Sequence, residues 1–309
     1  MRTNQIAPAL AACLLGSSLA AQDKPVRPKI TGIDHVRIYV TDIEKSSAFY
    51  SKLIGVRPGG MCFYTSLPCF TVGWTQDQTI LLEKVPSLDA KDWLAEISFA
   101  TDDVERMRGY LVAHGATASE ISKDPNPRSK QPYDAHFEVQ DPEGNPISFI
   151  QRFAIPVDDP SPGTRSYVRI LHAGFVVKDL AAENRFYTDL LGFRLYWHGG
   201  FKDQDTDWYE IQLPDGHAWI EYMLNIPANA DHKELGVQNH FSLGVKDAQA
   251  AAAQLRKNGL LTFDGPEIGR DGKNSLDAYD PDGTRVEVME FAPTQKPCCH
   301  PYTADHPKP

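Results

Sequence analysis

The chain contains a long internal repeat, and this feature limits its possible folds more than any other. The segment "IDHVRIYVTDIEKSSAFYSKLIGVRP", which starts at Ile33, reappears as "ILHAGFVVKDLAAENRFYTDLLGFRL" from Ile170, at an offset of 137 residues. The ends match as well, because "DPEGNPISF" at 141–149 returns as "DPDGTRVEV" at 280–288. Self-similarity at a fixed offset indicates duplication of one structural unit. The sequence therefore predicts two similar domains and two connecting or terminal segments: domains at 31–153 and 167–292, a Pro- and Asp-rich linker at 154–166, and a tail at 293–309.

Each domain repeats again at half length. "HFSLGVKDAQAAAAQLRKNG" (240–259) has the same form as "HAGFVVKDLAAENRFYTDLLG" (172–192): an apolar strand, Lys-Asp, an amphipathic helix and a glycine. Asp179 and Asp247 suit the N-caps of these helices. Short stretches rich in aromatic and β-branched residues follow each helix, separated by Pro, Gly and Asp, which is typical of strands. We therefore predict an α+β fold in which four βαβββ modules pair into two domains.

One polar residue recurs in the first strand of every module, seven places before the capping Asp. These residues are His35, Glu96, His172 and His240. The last strand of each module carries a matching polar position, filled by Glu83, Ser148, Glu221 and Glu287. Side chains alternate between the two faces of a strand, so Glu287 is expected inside and Glu290 on the opposite face.

The second domain thus brings together two imidazoles and two carboxylates, from His172, Glu221, His240 and Glu287. Two unpaired buried carboxylates would cost several kcal/mol, roughly, unless they were neutralised or coordinated. We therefore predict one divalent metal ion there, Zn, Ni, Co, Mn or Fe, with positions left for water or substrate. The alternative is four polar core residues that are satisfied separately. In the first domain Ser148 replaces the last carboxylate, which predicts a degenerate site; a second metal there is the alternative.

The first residues differ from the rest of the chain. "MRTNQIAPALAACLLGSSLAAQDKP" has an early Arg, a short apolar run and small residues before Ala21, which is the layout of a secretory signal peptide at 1–20. "LAAC" at 10–13 also leaves a lipoprotein leader open. We expect an exported protein, periplasmic or secreted, with no membrane span.

Export changes the interpretation of the cysteines, because disulfides persist in oxidising compartments. Cys62 and Cys69 can close a small loop, although their pairing does not follow from the sequence. "KPCCHPYTADHPKP" at the C-terminus predicts a frayed tail, with a Cys-Cys-His metal site as the alternative. The formal charge is −10 and no Lys/Arg cluster stands out, so nucleic acid is a poor candidate partner.

The paired βαβββ units, the "FYTDLLGF" helix at 186–193, the "DPDGTRVEV" ending and the His-Glu-His-Glu set together resemble the vicinal oxygen chelate superfamily. This superfamily contains glyoxalase I, extradiol dioxygenases, epimerases and antibiotic-resistance proteins. The resemblance covers about Ile30 to Phe291. It implies paired modules that cup one divalent metal, chelated directly by a small-molecule substrate with vicinal oxygens. Two domains in one chain make a monomer self-sufficient, and a homodimer is left open.

The resemblance implies three kinds of function. Glyoxalase-type isomerases use a four-residue set that this chain matches at all four positions, which favours an isomerase, epimerase or lyase in which Glu221 or Glu287 moves a proton. A ring-cleaving dioxygenase would use His172, His240 and Glu287 as an iron triad, but Glu221 and Asp277 stand where such enzymes carry a His and a Tyr. A metal-free binding or resistance protein is the third reading. Five further residues are candidates for substrate contact: Tyr209, His198, Asp277, Arg270 and His217.

Overall fold

The structure is a computed structural model that describes residues 25–59, 66–73, 78–88, 90, 93–126, 129–153 and 167–309. The predicted leader at 1–20, the linker at 154–166 and Cys62 lie outside these residues. Cys69 is disulfide-bonded. Export and the Cys62–Cys69 pairing therefore remain predictions.

The first domain consists of two βαβββ modules in one eight-stranded sheet. The elements of the first module are β1 (Ile30–Val40), α1 (Ile43–Ala48, continued as π-helical turns over Phe49–Ile54), β2 (Arg57–Pro58), β3 (Cys69–Val72) and β4 (Gln78–Lys84). Those of the second are β5 (Leu94–Thr101), α2 (Val104–Ala113), β6 (Ser122–Lys123), β7 (Asp134–Gln140) and β8 (Pro146–Arg152).

The second domain repeats this order in a second eight-stranded sheet. Its third module, counted along the chain, contains β9 (Arg169–Val176), α3 (Leu180–Asn184, continued as π-helical turns over Arg185–Leu190), β10 (Arg194–Gly199), β11 (Trp208–Gln212) and β12 (Trp219–Met223). A short helix that the sequence pattern did not predict, α4 (His232–Gln238), precedes the fourth module. That module contains β13 (His240–Val245), α5 (Ala248–Asn258), β14 (Asp264–Ile268), β15 (Asn274–Tyr279) and β16 (Arg285–Glu290). The duplicated α+β architecture is confirmed.

The strand order places the first and last strand of every module side by side. In the second domain β12 pairs with β9 and β16 pairs with β13, both in parallel, while β9 and β13 pair antiparallel at the centre. The first domain has the same arrangement, with β4, β1, β5 and β8 as its four central strands. Side chains that point to the same side of these four strands therefore lie close together in the middle of each sheet.

Local signals at the helix ends act as predicted. The Asp179 and Asp247 carboxylates accept hydrogen bonds from the amides of Ala182 and Ala250, which would otherwise lack partners at the helix start. Gly259 has a φ of 97°, the left-handed conformation that lets a helix end at glycine.

The repeated helix and turn motifs of each domain form hydrogen bonds with those of the other domain. Tyr50, in the helix of the first domain, donates to Asp280 at the "DPDG" turn of the second, with an oxygen–oxygen distance of 3.3 Å. Tyr187 donates to Asp141 at the "DPEG" turn of the first domain, at 3.4 Å. The main hydrophobic core contains residues of both domains. The two domains are thus packed as one body by a reciprocal pair of contacts.

The C-terminal tail is not frayed, so that prediction is wrong. The Trp197 indole donates to the carbonyl of His300 at 3.0 Å, and the Gln212 amide donates to that of Asp305 at 2.9 Å. Cys298 and Cys299 form a disulfide with each other, so their sulfurs are not free thiolates for a metal. Tyr302 packs on the buried ring of Tyr196, which supplies the apolar contact that holds the tail. Within the described residues, no helix is both long and apolar enough to cross a bilayer.

Candidate metal centre

Four adjacent strands of the second domain bring the predicted ligands to one face. On β9, Gly174 lies between Glu221 of β12 and His240 of β13 in the pairing register. His172, two residues earlier on the same face, pairs with Ser242, which in turn pairs with Glu287 on β16. The ligands therefore converge because they hold matching positions on paired strands.

Three of the four side chains meet within coordination distance, and the fourth, Glu221, lies beside them against His240. The Nε2 atoms of His172 and His240 are 3.0 Å apart. Glu287 Oε2 lies 3.1 Å from His172 Nε2, and Glu221 Oε2 lies 3.2 Å from His240 Nε2. Ligand atoms bound to one ion at about 2.0–2.2 Å are themselves roughly 3 Å apart, so His172, His240 and Glu287 fit a divalent ion. Among the described residues, His172, His240 and Glu287 form the buried group whose ligand atoms all lie within 4.8 Å of one another.

Two backbone features position His240. Its Nδ1 is 2.8 Å from the carbonyl of Gln238, at the end of α4, and donation there leaves Nε2 free to bind a metal. A Cβ atom at position 174 would lie 2.2 Å from His240 Cε1, so only glycine leaves room for the imidazole. Sequence reasoning missed both residues, although a glycine within a strand is a recognised sign of close approach.

Electrostatics favour the metal-binding protonation states of three of the four side chains, Glu221, His240 and Glu287. Burial raises the pKa of Glu287, but the hydrogen bond and charge of His172 and the guanidinium of Arg285 outweigh it and lower the pKa to about 2. Burial also opposes the shift at Glu221, whose pKa is lowered by its hydrogen bond with His240 and by both imidazoles. Burial and the charge of Arg285 lower the pKa of His240. Ionised carboxylates and neutral imidazoles are the ligand forms that coordination requires.

A cavity of about 400 Å³ opens beside Glu221 and Glu287. Two predicted substrate contacts, Arg270 and Asp277, line it, and so does Arg285, which the sequence did not single out. The Arg285 guanidinium lies 3.6 Å from Asp277 Oδ2 and reaches the ring of His240 at 2.9 Å. Aromatic rings, including Trp197 and Trp208, form another part of the wall.

Three other residues predicted to contact substrate do not line this cavity and are placed elsewhere. Tyr209 and His198 form a cross-strand pair next to the cavity-lining pair of Trp197 and Glu210, so strand alternation directs them to the opposite face. Tyr209 stacks on Tyr222 there, at 6.0 Å between ring centroids, and His198 stacks on His300 at 3.8 Å. His217 is exposed in the turn between β11 and β12 and does not line the cavity.

The equivalent position in the first domain is filled differently, and the prediction for Glu83 is wrong. His35 pairs with Thr79, so the position equivalent to Glu221 belongs to Leu81, while Glu83 lies two residues further along β4 and is about one-third exposed. The segment from His35 to Thr79 is shorter than that from His172 to Trp219, and this shifted the count. Glu96 and Ser148 do hold the positions of His240 and Glu287.

An arginine takes the central place in this first-domain site. Arg37 occupies the position of Gly174, and its Nη2 lies 2.7 Å from Glu96 Oε2. The same guanidinium lies 3.2 Å from Glu83. The Ser148 hydroxyl donates to Ser98 at 2.7 Å instead of facing a cation. The degenerate site that the sequence predicted therefore has a guanidinium between its acidic residues.

Comparisons with known proteins agree with this architecture. The family model described as the glyoxalase/bleomycin resistance protein/dioxygenase superfamily matches residues 32–149 and 169–288. The lactoylglutathione lyase of Haemophilus influenzae is 29% identical over 138 residues, which are 41% of this chain and 96% of that protein. The probable chloroplastic lactoylglutathione lyase of Arabidopsis thaliana is 28% identical over 135 residues; the match covers 42% of this chain and only 38% of the plant protein's length.

Solved structures resemble the whole two-domain chain. A variant of homoprotocatechuate 2,3-dioxygenase from Brevibacterium fuscum has a TM-score of 0.65 at 20% identity, covering 91% of this chain and 76% of that chain. The same enzyme from Arthrobacter globiformis has a TM-score of 0.64 at 17% identity, covering 85% and 80%. At these identities the likeness shows the fold and not the reaction.

Proposed function

Because the chain belongs to the glyoxalase/bleomycin resistance protein/dioxygenase superfamily, we propose that its second domain is a metal-dependent isomerase, epimerase or lyase that moves a proton next to a carbonyl. Its substrate is a small molecule with vicinal oxygens. One observation carries this proposal: a second carboxylate, Glu221, lies beside the group of His172, His240 and Glu287. It is 3.2 Å from His240 and it lines the cavity.

The metal would be held by His172, His240 and Glu287, with Glu221 beside them. A divalent ion supplies Lewis acidity, which polarises a carbonyl oxygen and stabilises enolate charge. Glu221 is the better base of the two predicted carboxylates, because Glu287 belongs to the compact three-residue group and is also held by the charge of Arg285. From its place in the cavity wall, Glu221 takes the proton from the carbon next to the carbonyl and returns it to the same or the neighbouring carbon. Such general base catalysis is worth about 10²–10⁴-fold in rate.

The two curated relatives are named for lactoylglutathione, and their matches support a lyase or isomerase reaction class. We do not extend that substrate to this chain. The predicted leader at 1–20 supports export, and a glutathione adduct belongs to the cytosol. Export and the choice of another substrate thus form part of the proposal.

A second candidate is an extradiol-type dioxygenase. The three atoms of His172, His240 and Glu287 that lie within 4.8 Å form a two-histidine, one-carboxylate set, which suits non-haem iron. The two-domain likeness to homoprotocatechuate 2,3-dioxygenase supports this alternative at the level of the fold.

Proton exchange separates the candidates. Protein reconstituted anaerobically with Ni, Co, Mn, Zn or Fe is incubated with α-hydroxy carbonyl compounds in D₂O, and deuterium at the α-carbon is measured by NMR. We expect metal-dependent exchange that falls at least about 100-fold in Glu221→Gln. The matched control is Glu83→Gln. Residue counting along the sequence assigns Glu83 to the equivalent position of the first domain. Oxygen uptake on catechols by the iron form, without exchange, would establish the dioxygenase instead; ligand binding without metal would leave a binding protein.

A further inference from the structure

Within the part of the chain that the structure describes, each cationic side chain at the cavity beside the metal centre lies near a carboxylate. The cavity lining includes six carboxyl groups: Glu210, Glu221, Glu267, Asp271, Asp277 and Glu287. The two lining arginines already face carboxylates, since Arg270 lies 2.5 Å from Asp203 and Arg285 lies 3.6 Å from Asp277. Buried Lys273 is likewise paired, at 2.9 Å, with Asp271.

The charge balance of this cavity stays negative when its salt-bridge partners are counted. Seven carboxyl groups, including Asp203, stand against three cationic side chains. A doubly charged ion does not reverse this excess, even if Glu210 is neutral. Like charge at short range in a poorly solvated site costs free energy, so an added carboxylate or phosphate on the substrate is disfavoured.

Hydrogen-bonding groups stand without partners on both sides of the metal ligands. Glu210 pairs with Glu221 across β11 and β12, and Asp277 pairs with Glu287 across β15 and β16. In the described structure, Glu210 Oε2 and Asp277 Oδ1 are buried atoms with no hydrogen-bond partner, and Glu210 is only 2% exposed. Arg285 Nε is a third such atom, and it is a donor.

A buried polar group without a partner costs about 1–3 kcal/mol, so a ligand that satisfies these atoms gains affinity from them. An ionised carboxyl group requires donors and a protonated one also offers a donor, whereas the Arg285 Nε–H requires an acceptor. A hydroxyl group serves both roles, while an ammonium group donates only. Unpartnered groups on both flanks of the ion therefore match a molecule with several hydroxyl groups.

The rest of the wall suits a compact ring. Trp197 and Trp208 line the cavity, and Phe201 stands at its rim, 76% exposed, with its ring 4.7 Å from that of Trp208. Aromatic faces pack well against the C–H faces of a hydroxylated ring. The volume of about 400 Å³ is at the small end of ligand sites, which suits a monosaccharide-sized molecule.

We propose that the substrate is an uncharged polyhydroxylated carbonyl compound of monosaccharide size, whose hydroxyl groups bind Glu210 and Asp277 while its vicinal oxygens face the metal centre. This inference rests on the proposed function, since it assigns the substrate class of the same site.

The test uses calorimetric titration of the full chain, with metal content measured on every sample. The probes form a matched set of one size: a hexose, the corresponding hexuronic acid, hexosamine and hexose phosphate, together with the methylglyoxal–glutathione hemithioacetal. We expect the neutral hexose to bind at least tenfold more tightly than each charged member. Tighter binding of the hexosamine, the uronate, the phosphate or the glutathione adduct, or binding of none, overturns the proposal.

A variant separates hydrogen bonding from a structural role. Glu210→Met keeps the size of the side chain and removes its polar atoms, and Glu210→Gln is the conservative partner. We expect Glu210→Met to weaken hexose binding about tenfold and Glu210→Gln to restore most of it, while one singly deoxygenated hexose binds both variants like the unchanged protein. Equal loss for every ligand would indicate a structural role and contradict the assignment. Hexose binding in a chain that holds no metal would overturn the proposed function and leave this substrate class standing.

Discussion

The two domains hold the same strand positions and fill them with different chemistry. In the second domain His172, His240 and Glu287 form a group that fits a divalent ion, with Glu221 beside it. In the first, Leu81, Glu96 and Ser148 stand at three of these positions, and the guanidinium of Arg37 lies against Glu96. Burial of carboxylates requires positive charge beside them. In the first domain the chain supplies that charge itself, and in the second we propose that a bound ion joins Arg285 in supplying it.

The two sites differ at one position on the first strand of each domain, Gly174 in the second domain and Arg37 in the first. At Gly174 an added Cβ would fall 2.2 Å from the imidazole of His240, and in the other domain Arg37 extends from that position. The absence of a side chain at one site and the presence of a long cation at the other therefore decide whether the sheet centre can accept an ion. We propose that the first domain is a structural partner, held to the second by the reciprocal Tyr–Asp contacts.

The largest effect is expected when a ligand of the second-domain site is replaced by the residue found at the equivalent position of the first domain. Glu287→Ser reproduces Ser148 and removes one ligand of the compact three-residue group. We expect loss of bound metal and at least about a 100-fold loss of metal-dependent activity, because even residues that only support ligands are worth 10–100-fold. Metal analysis and the proton-exchange assay check this. Glu290→Ser is not a suitable control, since Glu290 caps α5 through Ala248; Glu267→Ser serves for metal content.

The second effect concerns the arginine of the first domain. Arg37→Met removes the cation beside Glu96 and leaves a buried carboxylate without its closest partner. We expect a loss of about 3 kcal/mol in the free energy of unfolding, measured in denaturant, with metal content unchanged. Arg106→Met, at a well-exposed arginine of the same domain, is the matched control and should change stability by less than about 0.5 kcal/mol. Unchanged stability in Arg37→Met would show that this ion pair has no structural role.

Adding a single methyl group at position 174 tests whether the glycine there is needed to place His240. In Gly174→Ala the new Cβ must displace the ring of His240, so we expect metal affinity to fall about 10–100-fold while the domain still folds. Competition with a chelator measures the change. Gly32→Ala, also on a first strand, has open space around the added Cβ and should leave the affinity unchanged. Equal affinities in the two variants would mean that His240 is not held as described.

The smallest effect is expected at Glu83. It tests whether Glu83 lies where the strand pairing places it or where residue counting placed it. Glu83 is about one-third exposed, so Glu83→Gln removes only a partly exposed ion pair with Arg37. Such pairs are worth about 0–1 kcal/mol. We expect no more than that in unfolding free energy and no change in metal binding. A large loss of either would place Glu83 at the centre of its site.

The sequence predicted the features that depend on strand periodicity, and it missed those that depend on connections. Duplication, the capping aspartates and the choice of Glu287 over Glu290 follow from repeats and alternation, which are local. Glu83 was misplaced because the whole segment from His35 to Thr79 is shorter than that from His172 to Trp219, and residue counting cannot detect such a difference. Tyr209 and His198 were misjudged because proximity along the chain does not define a face.

Other features have no short-range signal. The tail is rich in Pro and polar residues, yet it packs because Tyr196 and Trp197 offer it apolar surface and hydrogen bonds. Gln238 positions His240 through a backbone carbonyl, which any residue type supplies. Arg285 lies two residues before Glu287, so its face could be predicted, but its contact with His240 required the fold.

The most direct test of this account is the number of metal ions per chain and the domain that holds them. The full-length protein is loaded with a single divalent metal, freed of excess and analysed by plasma mass spectrometry, together with His172→Ala and His35→Ala. We predict one ion per chain, lost in His172→Ala and retained in His35→Ala. Two ions per chain, or one ion that survives His172→Ala and disappears in His35→Ala, would contradict the assignment of the metal centre to the second domain.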